Sequence, residues 1–200
     1  MTRPAPSTIV VFVAVLLVTA AIVVAVGLGT DGATAIEVGD QKMSAADVND
    51  ELRAVVDNET FTQQVESQGG IVSSSPGSIT APGAANLVTV MVYGMLVQDA
   101  LDRAGERVTA QDRAAAQDLR GTTFNAAYSE FPRSFRRALD GRLAAIAAAQ
   151  RVSGGDAAFN RFLERAARRT DIRVDPAYGR WSEARLAVIP YPTPFTTPQG

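Results

Sequence analysis

The chain contains neither cysteine nor histidine. Their absence excludes Ser-His-Asp and Cys-His nucleophilic sites, thiol redox chemistry, disulfides and ordinary zinc sites. The sequence also lacks a GxxxxGK[ST] phosphate loop and a GxGxxG dinucleotide motif. Carboxylate, lysine or tyrosine chemistry is what these absences leave open. We expect a protein without cofactor, metal or small-molecule substrate, and one that is not an enzyme.

An excess of charge of one sign is also missing. The chain has 19 basic and 21 acidic residues, and its formal net charge is -2. A protein this close to neutrality generates no long-range field that attracts nucleic acid or an anionic membrane surface. We expect no nucleic-acid partner.

One long apolar run is present, IVVFVAVLLVTAAIVVAVGLG from Ile9 to Gly29, and it carries no charge. About 20 such residues suffice for a helix to cross a bilayer. The only side-chain charge before it is Arg3, and the first after it is Asp31. The positive-inside rule then predicts a cytoplasmic segment over residues 1–8, a transmembrane helix over 9–29, and the remainder on the extracytoplasmic face.

A cleaved signal peptide is the alternative for this segment. Ala33-Thr34-Ala35 has the small-x-small pattern of a signal peptidase site, and cleavage after Ala35 would release a secreted domain. The apolar run is longer than the roughly 7 to 15 residues typical of a signal-peptide core, which favours retention as a signal anchor. Both possibilities export the domain.

The first exported residues alternate between apolar and polar from Ala35 to Met43, which predicts a short hairpin around Gly39-Asp40 or an extended segment. Ser44 and Asp47 have the spacing of a helix cap. The helix that follows should bury one face. That face comprises Val48, Leu52, Val55 and Val56.

The middle of the chain changes from a loop pattern to a helix pattern. Ser, Gly and Pro between Gln68 and Gly83 predict an irregular loop. Ala84 to Ala104 predicts a helix, and its stretch from Leu87 to Val97 is apolar on nearly every face, as in the central helix of a bundle. Thr109 predicts the start of the next helix.

The last third of the chain predicts two more helices and a strand. Pro132 should lie in the first turn of a helix whose apolar stripe is Phe135, Leu139, Leu143 and Ile146. Asp156 is the predicted cap of the closing helix. Ile172 to Val174 predicts a short strand, and residues 183–200, rich in proline, predict a disordered tail.

Three segments carry a family resemblance: AIEVGDQKMSAADVNDEL, LVQDALDRAGERVTAQD and FLERAARRTDIRVDPAYGRW. In this order they resemble the N-terminal chaperone module of SurA-like and PrsA-like envelope foldases, in the short actinobacterial form. The resemblance implies a mainly α domain over residues 36–182, in which Ile36 to Val38 pair with Ile172 to Val174. It also implies a holdase whose partners are unfolded or partly folded exported polypeptides.

Many members of that family carry a parvulin-type prolyl isomerase domain before the closing helix. Here only the four residues VSGG separate Arg151 from Asp156, and the chain has no histidine for a parvulin active site. We therefore expect no prolyl isomerase activity.

A holdase needs apolar surface with adaptable side chains such as methionine. The candidate client-binding residues are Met91, Tyr93, Met95, Phe131, Phe135 and Trp181. The alternative for each of them is packing in the core.

Two other functional classes remain open. Glu130 beside Tyr128 would be the best placed buried acid of a cell-wall lytic enzyme, but nothing else of a sugar-cleaving site accompanies it. A membrane-tethered adaptor or scaffold for a specific cell-envelope complex is the second alternative, since the anchor and the proline-rich tail both permit it.

Overall fold

The computed structural model describes residues 23–24, 32–66 and 78–191 of the 200-residue chain. Over these residues the protein is mainly helical with small antiparallel sheets, which confirms the predicted fold class at this level. The helices are α1 (Ala45–Val56), α2 (Glu59–Glu66), α3 (Ala81–Arg103), α4 (Ala110–Phe124), a 3-10 helix (Asn125–Glu130), α5 (Arg133–Ser153) and α6 (Asp156–Ala167). The strands are β1 (Val23–Val24), β2 (Thr34–Val38), β3 (Gln41–Ser44), β4 (Ile79–Thr80), β5 (Ile172–Val174), β6 (Arg180–Ser182) and β7 (Ala187–Ile189).

The two ends of the domain meet in a three-stranded sheet with the order β3-β2-β5. The predicted hairpin is confirmed, and its turn has Gly39 at φ +57°, a left-handed conformation that favours glycine. β2 also pairs antiparallel with β5, with Ile36 opposite Val174 and Val38 opposite Ile172. The predicted pairing of the two segments is therefore confirmed.

Side-chain caps start α1 and α4 where the sequence places them. Ser44 Oγ accepts a hydrogen bond from the Asp47 N–H at 3.1 Å. At α4 the capping is reciprocal: Thr109 Oγ1 accepts from the Asp112 N–H at 3.2 Å, and Asp112 Oδ2 accepts from the Thr109 N–H at 2.8 Å. Each cap satisfies backbone donors that lack a partner within the helix.

The central helix is α3, which begins three residues before the predicted start, at Ala81. It buries twelve of its 23 residues. Among the described residues it is the one helix long and apolar enough to cross a membrane by composition, with a mean hydropathy of 1.4, yet 67% of that window is buried inside the fold. The prediction that Leu87 to Val97 forms the centre of a bundle is confirmed.

Two apolar clusters make up the core. The main cluster surrounds α3 and takes residues from α1, β2, α5, α6 and β7. The second cluster, which we call the aromatic cluster, contains Phe61, Phe124, Phe131 and Phe135. The predicted α5 stripe is buried throughout and contributes to both clusters.

The starts of the last two helices differ slightly from prediction. Pro132 precedes α5 as its N-cap residue rather than lying in its first turn. Gly155, not Asp156, occupies the cap position of α6, and Asp156 is the first helical residue. Both predictions are wrong by one position.

Most of the predicted transmembrane helix, Ile9 to Gly29, lies outside the described residues. The exception is Val23–Val24, which forms β1 instead of helix and pairs antiparallel with β4. Of the predicted loop from Gln68 to Gly83, the residues up to 77 lie outside the described part, and its end is β4 and the first turn of α3.

The predicted disordered tail over residues 183–200 is wrong as far as residue 191. β6 and β7 form a hairpin there, so the domain extends past residue 182. Val188 is only 3% exposed, and its N–H donates to Thr89 Oγ1 on α3 at 2.8 Å. The tail prolines begin at Pro190, after the hairpin, and residues 192–200 lie outside the described part.

Candidate functional site

The three α3 candidates for client binding lie inside the fold. Met91 is 2% exposed, Tyr93 9% and Met95 8%. Both methionines belong to the main cluster. In this conformation all three pack in the core. Core packing was the alternative to client binding for each of them.

Tyr93 and Trp181 connect α3 to the β6–β7 hairpin. The Tyr93 hydroxyl donates to the carbonyl oxygen of Leu186, in the turn between β6 and β7. Its ring meets Trp181 edge to face, with 6.3 Å between ring centroids. Burial raises the pKa of Tyr93 to about 12, so the hydroxyl stays protonated and keeps donating. Both residues hold the hairpin in place.

The other two candidates lie in the aromatic cluster. Phe131 stacks on Phe135 with 4.4 Å between centroids and lies 5.5 Å from Phe61. Both are buried, at 2% and 8% exposure. Five of the six predicted residues are buried, and Trp181 is half-buried against the main cluster. The structure does not bring the six together in one surface groove.

Glu130 lies at the surface. Its carboxylate accepts a hydrogen bond from Thr60 Oγ1 at 2.6 Å in an exposed setting. The burial that a catalytic acid of this kind would need is missing, so the structure does not support this alternative.

A groove of about 410 Å³ runs between α3, α4 and α5, and we call it the interhelical groove. Its apolar lining comes from Val108, Ala116, Gly141 and Ala144. The residues at 116 on α4 and at 141 and 144 on α5 are small, so the space between these two helices stays open. A Cβ atom at Gly141 would meet no other heavy atom within 4 Å, which shows that this side of α5 faces free volume.

The rim of the groove is polar. It is formed by Gln98, Arg113, Gln117, Arg120 and Asp140. Amide and guanidinium groups can hydrogen-bond to the backbone of an extended peptide, while the floor takes apolar side chains. The combination suits a short stretch of unfolded polypeptide.

One part of the rim is a fixed network. Arg120 Nη1 contacts Asp140 Oδ1 at 3.1 Å, and the Tyr128 hydroxyl donates to Asp140 Oδ2 at 2.7 Å. The Arg120 guanidinium also lies 4.2 Å from the centre of the Tyr128 ring. Burial and the hydrogen bond to Asp140 both raise the pKa of Tyr128. The network therefore keeps one charge pair and one neutral phenol at the mouth of the groove.

The start of α4 is held by a buried carboxylate. Asp112 is 3% exposed, and Arg151 Nε on α5 donates to its Oδ1 at 3.0 Å. Burial acts to raise the pKa of Asp112, but hydrogen bonds from Arg151 and Thr109 outweigh it and lower the value to about 2. This contact fixes one end of the wall that α4 forms.

A buried ion pair joins α1 to α5 beside Gly94 of α3. Glu51 on α1 and Arg142 on α5 form two hydrogen bonds, of which the one from Nη1 to Oε2 measures 2.6 Å. Arg142 reaches Glu51 across α3 at Gly94, where a Cβ atom would lie 2.7 Å from Arg142 Cγ. Glycine is therefore required at position 94, and both charges are used within the fold.

A second, larger cleft of about 620 Å³ lies between α6 and the turn that joins β6 to β7. Its charged lining consists of Glu164, Arg168, Glu183 and Arg185. Charges of both signs alternate there, so the cleft selects neither an anion nor a cation. Within the described part of the chain, no group of three or more acidic side chains is placed to hold a metal ion.

The sequence reasoning did not find the interhelical groove. Its floor comes from alanine and glycine at helical spacing, a pattern that equally describes close packing of two helices. The only signal was Gly141 in the interior of a helix, where glycine costs up to about 1 kcal/mol relative to alanine.

Comparison with protein-family models finds no match, and comparisons with curated proteins and with solved structures find no significant match.

Proposed function

We propose that the protein is a membrane-anchored extracytoplasmic chaperone, a holdase that binds unfolded or partly folded exported polypeptides without prolyl isomerase activity. The observation that carries the proposal is the interhelical groove, with its apolar floor and its rim of amide and charged side chains. A site of this composition binds by apolarity and backbone hydrogen bonds, so it tolerates many client sequences.

The order of elements supports the resemblance to the SurA-like and PrsA-like chaperone module. A hairpin opens the domain, helices follow, and the strand after the closing helix returns to pair with the hairpin. We therefore assign the domain to that family as part of the same proposal, extended at its C-terminal end by the β6–β7 hairpin.

The contacts of residues 33–35 favour the anchor over cleavage. The Ala45 N–H donates to the Ala33 carbonyl at 2.8 Å, and the Asp175 N–H donates to the Ala35 carbonyl at 2.8 Å. Ala35 itself is 1% exposed. Cleavage after Ala35 would remove these contacts and the first two residues of β2, so the fold favours a chain that keeps them.

Anchoring gives the groove its working concentration. β2 begins at Thr34, five residues after the end of the predicted transmembrane helix at Gly29. A domain tethered this closely stays next to the membrane surface where exported chains emerge. Anchoring confines the domain to the layer next to the membrane, which raises its concentration there above that in bulk solution.

The proposal is tested by aggregation of several unrelated unfolded exported proteins, with the full-length protein supplied in lipid nanodiscs. We expect suppression for unrelated clients without an energy source, while empty nanodiscs have no effect. Arg161→Glu, on the exposed face of α6, serves as the matched surface control and should suppress equally well. Absence of suppression for every client would contradict the holdase.

One observation favours the adaptor as a second candidate. Among the described residues, Tyr191 is the one large hydrophobic side chain that is strongly exposed, at 51%. A surface so poor in apolar area also suits a protein that binds a single folded partner. Suppression confined to one client, or capture of one folded envelope protein by crosslinking in membranes, would favour the adaptor.

A further inference from the structure

β1 is an apolar segment of this chain bound along the edge of β4. Val23 lies opposite Thr80 and Val24 opposite Ile79, in antiparallel register. β4 itself belongs to the rigid core, since Ile79 is 0% exposed in the main cluster and Thr80 caps α3 through the Gly83 N–H. The β4 edge therefore accepts an extended, β-branched apolar segment.

This pairing and the predicted membrane span exclude each other. A helix over residues 9–29 contains Val23 and Val24 and leaves no extended backbone for β4. If β1 stays paired, only the 14 residues from Ile9 to Ile22 remain for a span. At about 1.5 Å per residue they reach roughly 21 Å, short of the hydrocarbon core of about 30 Å.

We infer that β4 is a strand-addition site for an extended apolar segment of a client polypeptide. It is vacant when residues 9–29 span the membrane, and β1 occupies it when they do not. This inference rests on the proposed holdase function and adds a second contact to the interhelical groove: the groove takes client side chains, and β4 takes client backbone.

The chemistry of the edge explains why the occupant is an unfolded chain. Strand addition uses main-chain hydrogen bonds, which are independent of side-chain identity, and neighbouring pockets select β-branched or apolar residues. The occupant seen in the structure, Val-Val, has this character. Because β1 is part of the same chain, its effective concentration is of roughly millimolar order, so a protein outside the membrane blocks its own edge.

The test locks β1 on β4 with a disulfide in the full-length protein. Val24→Cys and Ile79→Cys replace register partners, and the chain has no other cysteine. Antiparallel partners have Cα atoms about 4.5 to 5.5 Å apart, within the range that a disulfide spans. Glu37→Cys with Lys42→Cys is the matched control, because this pair joins β2 to β3 and plays no part in the inference.

Each variant is compared in its oxidised and reduced forms. Because the sequence is the same in both forms, the effect of the substitutions themselves cancels. Insertion is measured by flotation with liposomes, and client binding by titration with reduced, carboxymethylated α-lactalbumin as a permanently unfolded probe. We expect the oxidised Val24→Cys/Ile79→Cys protein to fail to insert and to bind the probe about tenfold more weakly or worse, with both restored on reduction. The control should insert and bind in both states.

Three results are distinguishable. Insertion of the oxidised protein at the level of the reduced form would overturn the mutual exclusion. Equal probe binding by oxidised and reduced forms would overturn β4 as a client site and leave the holdase standing. Failure of the wild type and of both reduced variants to bind any probe would overturn the holdase, and with it the client role of β4.

Discussion

α3 and α4 are consecutive in the chain, and the fold holds them in different ways. α3 buries twelve of its 23 residues, whereas α4 buries three of its 15. α3 is therefore fixed by packing on nearly all sides, while α4 lies on α5 as one wall of the interhelical groove. Segments with few buried contacts open at lower free energy than the core.

The anchors of α4 lie at its two ends. Asp112 is bound by Arg151 at the start, and Phe124 packs in the aromatic cluster at the end. Between them only Ala116 is buried. The ion pair between Arg120 and Asp140 also joins α4 to α5, so α4 forms a fixed wall of the interhelical groove although it buries few residues.

The largest expected effect is the loss of the buried ion pair beneath α3. Arg142→Met leaves Glu51 charged and without this partner, and removing one member of a buried pair costs about 3 to 5 kcal/mol. The free energy of unfolding, measured in urea, should fall by that amount. The double variant Glu51→Leu/Arg142→Met should recover most of it, and a double variant as unstable as the single one would contradict the assignment.

A glycine-to-alanine pair compares the two helices directly. Gly94→Ala on α3 forces the new Cβ atom to 2.7 Å from Arg142 Cγ, so we expect a loss of about 1 to 3 kcal/mol. Gly121→Ala on α4 meets no atom within 4 Å and should stabilise by up to about 1 kcal/mol. Thermal unfolding of both variants measures the two changes in stability. Changes of the same sign would contradict the stated difference between α3 and α4.

The start of α4 should be sensitive to acid. The pKa of Asp112 is about 2 in the fold against 3.8 in the unfolded chain, so its stabilisation is present above pH 4 and is lost as the pH falls towards 2. The shift corresponds to about 2 kcal/mol. Unfolding free energies of the wild type and Asp112→Asn, measured against pH, should differ at neutral pH and converge near pH 2. A difference that does not change with pH would contradict the role of the charge.

The smallest effect at neutral pH is expected at Tyr93. Tyr93→Phe removes the hydrogen bond to the Leu186 carbonyl and should cost about 1 kcal/mol. Because the folded pKa is about 12 and the unfolded value 10.0, the wild type should lose stability as the pH rises from 10 towards 12. The phenylalanine variant should lose less stability over this range, although not none, because the pKa values of Tyr128 and Tyr178 are raised as well. Trp181 fluorescence can follow the difference.

Local signals in the sequence predicted much of the fold. The caps at Ser44 and Thr109 and the turn at Gly39 depend on neighbouring residues, and all three are found where expected. The apolar stripe of α5 follows from a periodicity that only burial explains. The pairing of β2 with β5 came from the family resemblance, since nothing local joins residues so far apart.

The misplaced parts depend on tertiary contacts. The β6–β7 hairpin exists because Val188 packs on α3, and the prolines that suggested disorder come after it. α2 was not predicted. Its apolar face consists of Phe61 and Val65, four residues apart, and its start is held by the Asn58 side chain, which accepts from the Phe61 N–H and donates to the Ala127 carbonyl. The predicted client-binding residues were chosen for apolarity, and apolarity is what buried them.

The most direct test of the account compares two glycines that both face open space. Gly141→Leu places a side chain in the interhelical groove, and Gly121→Leu places the same side chain on the exposed surface of α4. Binding of an unfolded client to each full-length variant in nanodiscs is measured by titration. The account predicts affinity about tenfold lower or worse for Gly141→Leu and wild-type affinity for Gly121→Leu. Wild-type affinity for both folded variants would contradict the groove as the client site.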